Sequence, residues 1–368
     1  MKEPQQISWW QLTTLIVAVK ISMLMTYAPI VASGPSTARE AWLAAPLAAL
    51  PALGMGLLVY FLCTRFPGLS VFAYAELILG RVLGTAFNLL LVLLFLHWAG
   101  ISLRMFSEFI VATALRTTPQ PVIAAMMALL ASRGVAGGLR LLARTSEILV
   151  PGIVAITLLT MAALLRDAFF ENLLPFLGDG IGPVLRQALT PIGVFGEMSW
   201  VALLGLPYLS RLEDGPRALA AGTAINALLV GSGAALLMAL FGKNFIPLLT
   251  FPSFHAIRVL RIGGVLERVE WIFSTFWIGL MYLKFSVLLF GAAAGAGRVL
   301  RLKDYRPAVL PAAALAVAWS IFAFDNHTQL LEFFRPRAYL LHSLPLELGA
   351  PLLLLVLSLA LNRRAQPL

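Results

Sequence analysis

Long apolar runs alternate with short polar stretches along this chain. Runs without Asp, Glu, Lys or Arg cover residues 43–62, 82–103, 148–165, 218–242 and 307–324, and roughly 18–20 such residues cross a hydrocarbon core. With Gly and Pro taken as punctuation, the pattern predicts ten spans. They lie near 8–32, 40–63, 82–114, 119–138, 142–165, 189–210, 216–241, 268–296, 306–324 and 344–362. Residues 69–79 read as a short amphipathic helix on the membrane surface, leading into the third span. The expected fold is therefore an all-α polytopic membrane protein, a single integral membrane domain over 1–368.

Composition agrees with the pattern. Hydrophobic residues make up 60% of the 368, charged residues 12%, and the mean hydropathy is +0.90; a soluble domain carries about 25% charged residues. The net charge of +10 fits basic cytoplasmic loops. No basic run with interleaved aromatics supplies the footprint of a nucleic-acid partner. A lone Cys63 excludes an intrachain disulfide framework and a Cys-based zinc site. The opening "MKEPQQISWWQ" has no basic n-region with a cleavage site, so the first apolar segment is expected to stay as a span. Placing the N-terminus inside puts the larger share of Lys and Arg on the inner side, and an even span number returns the C-terminus to the cytoplasm. Trp9, Trp10 and Trp42 then fall near span ends.

The informative residues are the polar ones inside apolar runs. "LIVAVKISMLMTYAPIVA" (15–32) carries Lys20 near its middle, where a charge costs about 2.5–3.5 kcal/mol on insertion scales. At about 1.5 Å per residue, Lys20 lies roughly 18 Å from the inner end of span one. Glu197, counted from an outer start near Pro191, lies about 9–10 Å below the outer surface of a core about 30 Å thick, at a similar depth. Lys284 reaches a similar plane in span eight. Pairing is the cheapest way to keep such charges in hydrocarbon. Lys20, Glu147, Glu197 and Lys284 are the candidate coupling and gating residues, with Glu147 near the inner end of span five. Snorkelling of Lys20 and a protonated structural Glu197 are the plainer alternatives. Arg104 and Glu108, four apart, read as a local pair, and His97 as a hydrogen-bonded interior imidazole.

Spans one to five and six to ten each open on an interrupted segment: Lys20, Ser22 and Pro29 in the first, Pro191, Gly193, Gly196 and Glu197 in the second. Five spans per half invert the second half, an arrangement that places substrate between the discontinuous first helices. The pattern alone leaves open whether this is a repeat or the ordinary frequency of Pro and Gly in membrane helices. No HExxH, GxSxG or P-loop occurs, and "GDGIG" (178–182) is a turn without strand context. No catalytic residue, metal site or cofactor is expected, and the chain is read as a non-enzyme.

"RLLARTSEILVPG" (140–152), "ENLLPFLGDGIGPVLRQAL" (171–189) and "FGEMSW" (195–200) together resemble the B subunits of endospore germinant receptors. "ERVEWIFSTFWIGLMYLKFS" (267–286) and the opening "ISWWQL…TYAP" extend the resemblance over almost the whole chain. That family is similar to amino acid–polyamine–organocation transporters with a LeuT-type five-plus-five inverted repeat. The resemblance implies two five-helix halves, 8–166 and 189–362, joined by an extracytoplasmic loop, 167–188. It implies a nutrient sensor, typically for an amino acid, in the spore inner membrane with an A subunit and a lipoprotein C subunit. The alternative is a proton- or cation-coupled amino-acid transporter of the same fold. The expected ligand contacts are Ser22, Met23, Met25, Thr26 and Tyr27 of span one, Trp98 and Ser102 of span three, and Gly193, Phe195, Gly196 and Glu197 of span six. In transporter relatives the first-helix break is rich in glycine; here residues 21–24 are Ile-Ser-Met-Leu. Lys20 would stand near the place where sodium-coupled members hold a cation.

Overall fold

Ser8 starts the first helix with a reciprocal cap. Its hydroxyl accepts from the Gln11 amide at 3.1 Å, and the Gln11 side chain accepts from the Ser8 amide at 2.9 Å, satisfying two of the donors a helix start leaves open. Helix α1 (Trp9–Ile21) is buried continuously from Leu12 to Ile21. A computed structural model of the chain describes residues 6–23, 41–178, 180–259 and 269–364; Met25, Thr26, Tyr27 and Pro29 lie outside them. Within that set α1 is the central element. It packs against α6 (Leu139–Leu164), α9 (Met198–Gly205), α10 (Gly215–Phe245) and α12 (Val269–Val299).

The remaining elements are α2 (Ala41–Arg65), α3 (Val71–Leu79), α4 (Arg81–Thr113), α5 (Gln120–Ala136), α7 (Ile181–Gln187), α8 (Leu189–Gly196) and α11 (Pro252–Val259). They are followed by α13 (Val309–Phe322), α14 (His327–Phe333), α15 (Pro336–Leu344) and α16 (Ala350–Ala360). Among the described residues the only strand-like pairing is a parallel bridge between Ile7 and Leu209. It ties the segment before α1 to the end of α9 through Ile7 N–H to Tyr208 O at 2.8 Å and Ser210 N–H to Ile7 O at 2.9 Å.

Among the described residues seven helices are long and apolar enough to cross a membrane, and α13 with α14 adds an eighth if that pair, bent by 105°, is taken as one span. The other two of the ten expected spans correspond to α1 and α5, which have 13 and 17 residues. Ile148, Leu228 and Phe322 are each more than two-thirds exposed, with Leu50, Leu129 and Leu159 also open. So much outward apolar surface on a closed helical core is the signature of a face made for lipid. A helix expected at 69–79 is present as α3, which packs Phe72, Tyr74 and Ile78 into the protein. The last span departs from expectation: α15 begins at Pro336, eight residues before the expected start at 344.

Close approach of α3 to α4 depends on Gly84. A Cβ there would stand 2.6 Å from the Glu76 Cα, a backbone atom that has no room to yield, whereas a Cβ at lipid-exposed Gly54 meets nothing within 4 Å. Gly84→Ala is expected to destabilise the protein by about 1–3 kcal/mol, the usual cost of overpacking. Gly54→Ala is expected to be neutral or stabilising by up to about 1 kcal/mol. Thermal unfolding of both variants in the same detergent checks the contrast.

Candidate functional site

Two helices stop where the polar residues of the sequence lie. Helix α1 ends at Ile21 without a glycine; Met23 N–H closes a turn on Lys20 O at 3.0 Å, and the Ser22 hydroxyl donates to Val19 O. The Ser22 carbonyl, released by the helix end, accepts from Trp277 Nε1 at 2.7 Å. Span six breaks at Glu197, between α8 and α9, where the Glu197 N–H turns back to Phe195 O.

These two breaks are joined by charge. Lys20 Nζ donates to Glu197 Oε2 at 3.2 Å, and Lys284 Nζ, from the middle of α12, donates to Oε1 at 2.7 Å and Oε2 at 3.0 Å. The Tyr339 hydroxyl reaches Oε1 at 3.5 Å. Glu197 and Lys284 are 1% exposed and Lys20 3%. Lys20 also lies 5.4 Å from the centre of the Phe195 ring, within cation–π range. Two ammonium groups therefore share one carboxylate in an environment without water screening, and removing one partner of such a set costs more than making it gains.

Gly193 and Gly196 are what allow span ten to lie against the broken helix. A Cβ at Gly193 would meet Ser343 Oγ at 2.6 Å and the Tyr339 ring at 2.8 Å; one at Gly196 would run into the Glu347 carboxyl. Trp98 is buried beside this face, its ring 5.3 Å from Tyr339 and 5.9 Å from Phe333. The Ser102 hydroxyl is used within its own helix, donating to Trp98 O at 2.8 Å. Of the described candidates, Lys20, Phe195, Glu197 and Lys284 thus form one cluster; Trp98 and Gly193 border it through Tyr339, and Gly196 lies against Glu347. Ser22 joins through Trp277. Glu147 stands apart: it accepts from Gln11 Nε2 at 2.9 Å at the start of α1, next to a Thr14–Ser146 hydroxyl pair at 2.8 Å.

Arg104 and Glu108 do form a local pair, at 2.6 Å, but both also reach the bend after α13. Arg104 donates to Phe324 O at 2.7 Å and Glu108 contacts His327 at 2.8 Å. His97 accepts from Trp319 Nε1 at 3.1 Å. Sequence reasoning missed Tyr339, Trp277 and Glu347. The signal for Glu347 was a lone carboxylate in an apolar run, "SLPLELGAPLLLL", hidden by placing it at the end of the span. Among the described residues no group of three or more His, Cys, Asp and Glu side chains is arranged to hold a metal.

Two cavities flank the cluster along α12. One, a narrow space of about 50 Å³, is lined by Thr157, Leu236, Ser253 and Phe273; the other, about 270 Å³, is lined by Phe72, Leu203, Tyr208 and Phe290 together with the charged Arg298, Lys303 and Asp304. From Lys284 they lie about 16 Å and 9 Å along the helix. The charge cluster thus lies between a small apolar cavity and a larger one with charged groups in its wall.

That architecture is shared with LeuT-fold transporters. The chain superposes on MhsT in complex with L-phenylalanine with a TM-score of 0.64, covering 97% of this chain and 99% of that one at 14% identity. A sodium-coupled sialic acid symporter in a substrate-bound outward-open state gives 0.66, with 95% and 78% covered at 14% identity. The nucleobase-cation symporter Mhp1 gives 0.63, with 89% and 75% covered at 16% identity. These likenesses define the fold: a multi-pass, LeuT-type helical membrane protein. The family profile of spore germination proteins matches residues 6–328, and the chain belongs to that family. It is 24% identical to spore germination protein KB of Bacillus subtilis (strain 168), covering 99% of this chain and 97% of that protein. It is 23% identical to spore germination protein YndE of the same organism, with 80% and 81% covered.

Lys284 makes two contacts with Glu197 and Lys20 makes one. Lys284→Met is expected to destabilise the protein by about 3–5 kcal/mol, the cost of orphaning a buried charge, and Lys20→Met by less. Chemical denaturation in a common detergent ranks the two.

Proposed function

We propose that this protein is the nutrient-sensing membrane subunit of a spore germinant receptor, its ligand a small molecule and most simply an amino acid. The observation that carries the reading is the Lys20–Glu197–Lys284 cluster at the breaks of both first helices, on a transporter fold. A ligand acts by binding one conformation more tightly than the other, and shifts the population only by that difference. The contacts proposed are Ser22, Met23, Met25, Thr26 and Tyr27, with Gly193, Phe195, Gly196, Glu197, Trp98 and Ser102. Lys20, Glu147, Glu197 and Lys284 are the proposed gate, the Lys20 ammonium standing in for the coupling ion of sodium-dependent relatives. The halves are taken as 8–166 and 189–362, joined by 167–188. The protein is placed in the spore inner membrane, both termini cytoplasmic, with germinant receptor A and C subunits as partners.

The rival is an amino-acid transporter coupled to protons or cations through the same site, a reading favoured by the transporter fold itself. Counterflow in proteoliposomes separates them: the sensor is expected to bind an amino acid without saturable accumulation, and accumulation by the isolated chain makes it a transporter. Glu197→Gln is expected to weaken the germinant response at least tenfold, read as the concentration giving half-maximal spore germination. A response unchanged in Glu197→Gln, Lys20→Ala and Lys20→Met together overturns the assigned gate.

A further inference from the structure

A second carboxyl group lies against the cluster. The last span is α15, then a wide π-type turn over Pro345–Gly349, then α16. Wide turns of this kind inside membrane helices concentrate at functional positions. Glu347 sits in the turn, 1% exposed. Neither of its oxygens meets hydrogen-bond geometry with a described residue, and Ser343 stands beside it one turn earlier. Its Oε2 rests on Gly196, the residue before Glu197, in space that only a glycine leaves open.

The contrast between the two glutamates is what matters. Glu197 receives two ammonium groups and a phenol; Glu347 receives no cationic donor and has only the Ser343 hydroxyl beside it, though it lies within electrostatic reach of Lys20, Lys284 and Glu197. A buried carboxylate with no cationic donor costs several kcal/mol, and a proton is the simplest way to remove that cost. Lys20 has donors to spare, because one ion pair occupies only one of its three N–H bonds. A proton also needs no cavity. The groups facing Glu347 are Glu197 from the α8–α9 break, Lys20 from α1, Lys284 from α12 and Ser343 from α15. Helix α2 contributes the thioether of Met55 near Gly196, and α16 carries no titratable side chain.

We propose that Glu347 is a proton-binding site whose occupancy sets the charge of the cluster. In the closed arrangement Glu347 holds a proton, and the two lysines with Glu197 sum to one positive charge. When the α8–α9 break moves away from span ten, the Glu347 O–H bond breaks and the proton leaves to water. The carboxylate then accepts Lys20, which remains an ammonium and turns from Glu197, while Lys284 keeps Glu197. The cluster becomes neutral, its second carboxylate now balanced. This deepens the sensor reading by naming the proton as a second ligand of the same switch, and rests on that reading for its link to germination.

Infrared difference spectroscopy of the full-length protein in lipid nanodiscs, titrated with pH without any nutrient, tests the site. A carboxylic-acid carbonyl band that disappears as pH rises is expected in the wild type. It is expected to be lost in Glu347→Gln, which is isosteric with the protonated acid and keeps the packing on Gly196, and shifted in Glu347→Asp. A titrating band that survives unchanged in Glu347→Gln overturns the proposal, as does a wild type with no such band. Because no nutrient is added, failure of the sensor reading leaves this result untouched. A failed infrared test likewise leaves nutrient binding to be measured on its own.

Discussion

One carboxylate shared by two ammonium groups fixes the centre of this molecule. Glu197 belongs to the broken sixth span, Lys20 to the first and Lys284 to the eighth, so a single side chain couples three elements more than 80 residues apart in sequence. Span ten is attached to the same point through Tyr339 and through glycines that let it approach. Each charge alone is prohibitive in hydrocarbon. Together they hold the helix ends, and the helices around them can be short or interrupted because the ion cluster, rather than continuous hydrogen bonding, sets their positions. The arrangement also makes the centre responsive, since a change in any one member leaves the others uncompensated.

Much of this was legible in the amino-acid sequence for simple reasons. Apolar periodicity located the spans because lipid demands length, and the all-helical, LeuT-type fold followed from their number and from the family resemblance. A depth count brought Lys20, Glu197 and Lys284 to one level because helix rise is constant. The count failed at span ten. Arg335, Arg337 and His342 push an apolarity-based boundary toward 344, leaving Glu347 at the membrane surface. The true start at Pro336 puts it about 16 Å along the helix. Proline at the first turn explains the difference: Pro336 lacks the amide that a helix start leaves unused, so it favours initiation in a segment too polar to read as a span.

Tyr339 and Trp277 were illegible for another reason. An aromatic residue in a membrane helix is ordinary, and nothing in spacing separates a packing ring from one whose polar tip finds a buried acceptor. Only tertiary geometry shows the Trp277 indole capping the Ser22 carbonyl and the Tyr339 phenol reaching Glu197. Glu147 is a separate case. Its position in the fifth span suggested a gate, and its contact with Gln11 fastens the start of α1 to α6 well away from the charge cluster.

The absence of glycine at residues 21–24 now has a structural counterpart. In a glycine-rich break, exposed backbone groups are themselves the binding surface. Here the helix stops after Ile21, the freed carbonyl of Ser22 is taken by an indole, and the polar group presented at the break is a lysine side chain. At the described end of α1 the polar group on offer is therefore a side chain rather than free backbone. Side chains can change partners by rotating, whereas a backbone carbonyl moves only with its helix. A site built on Lys20, Glu197 and Lys284 can thus alter its charge pairing before the helices themselves move, an order of events open to a sensor and to a transporter alike.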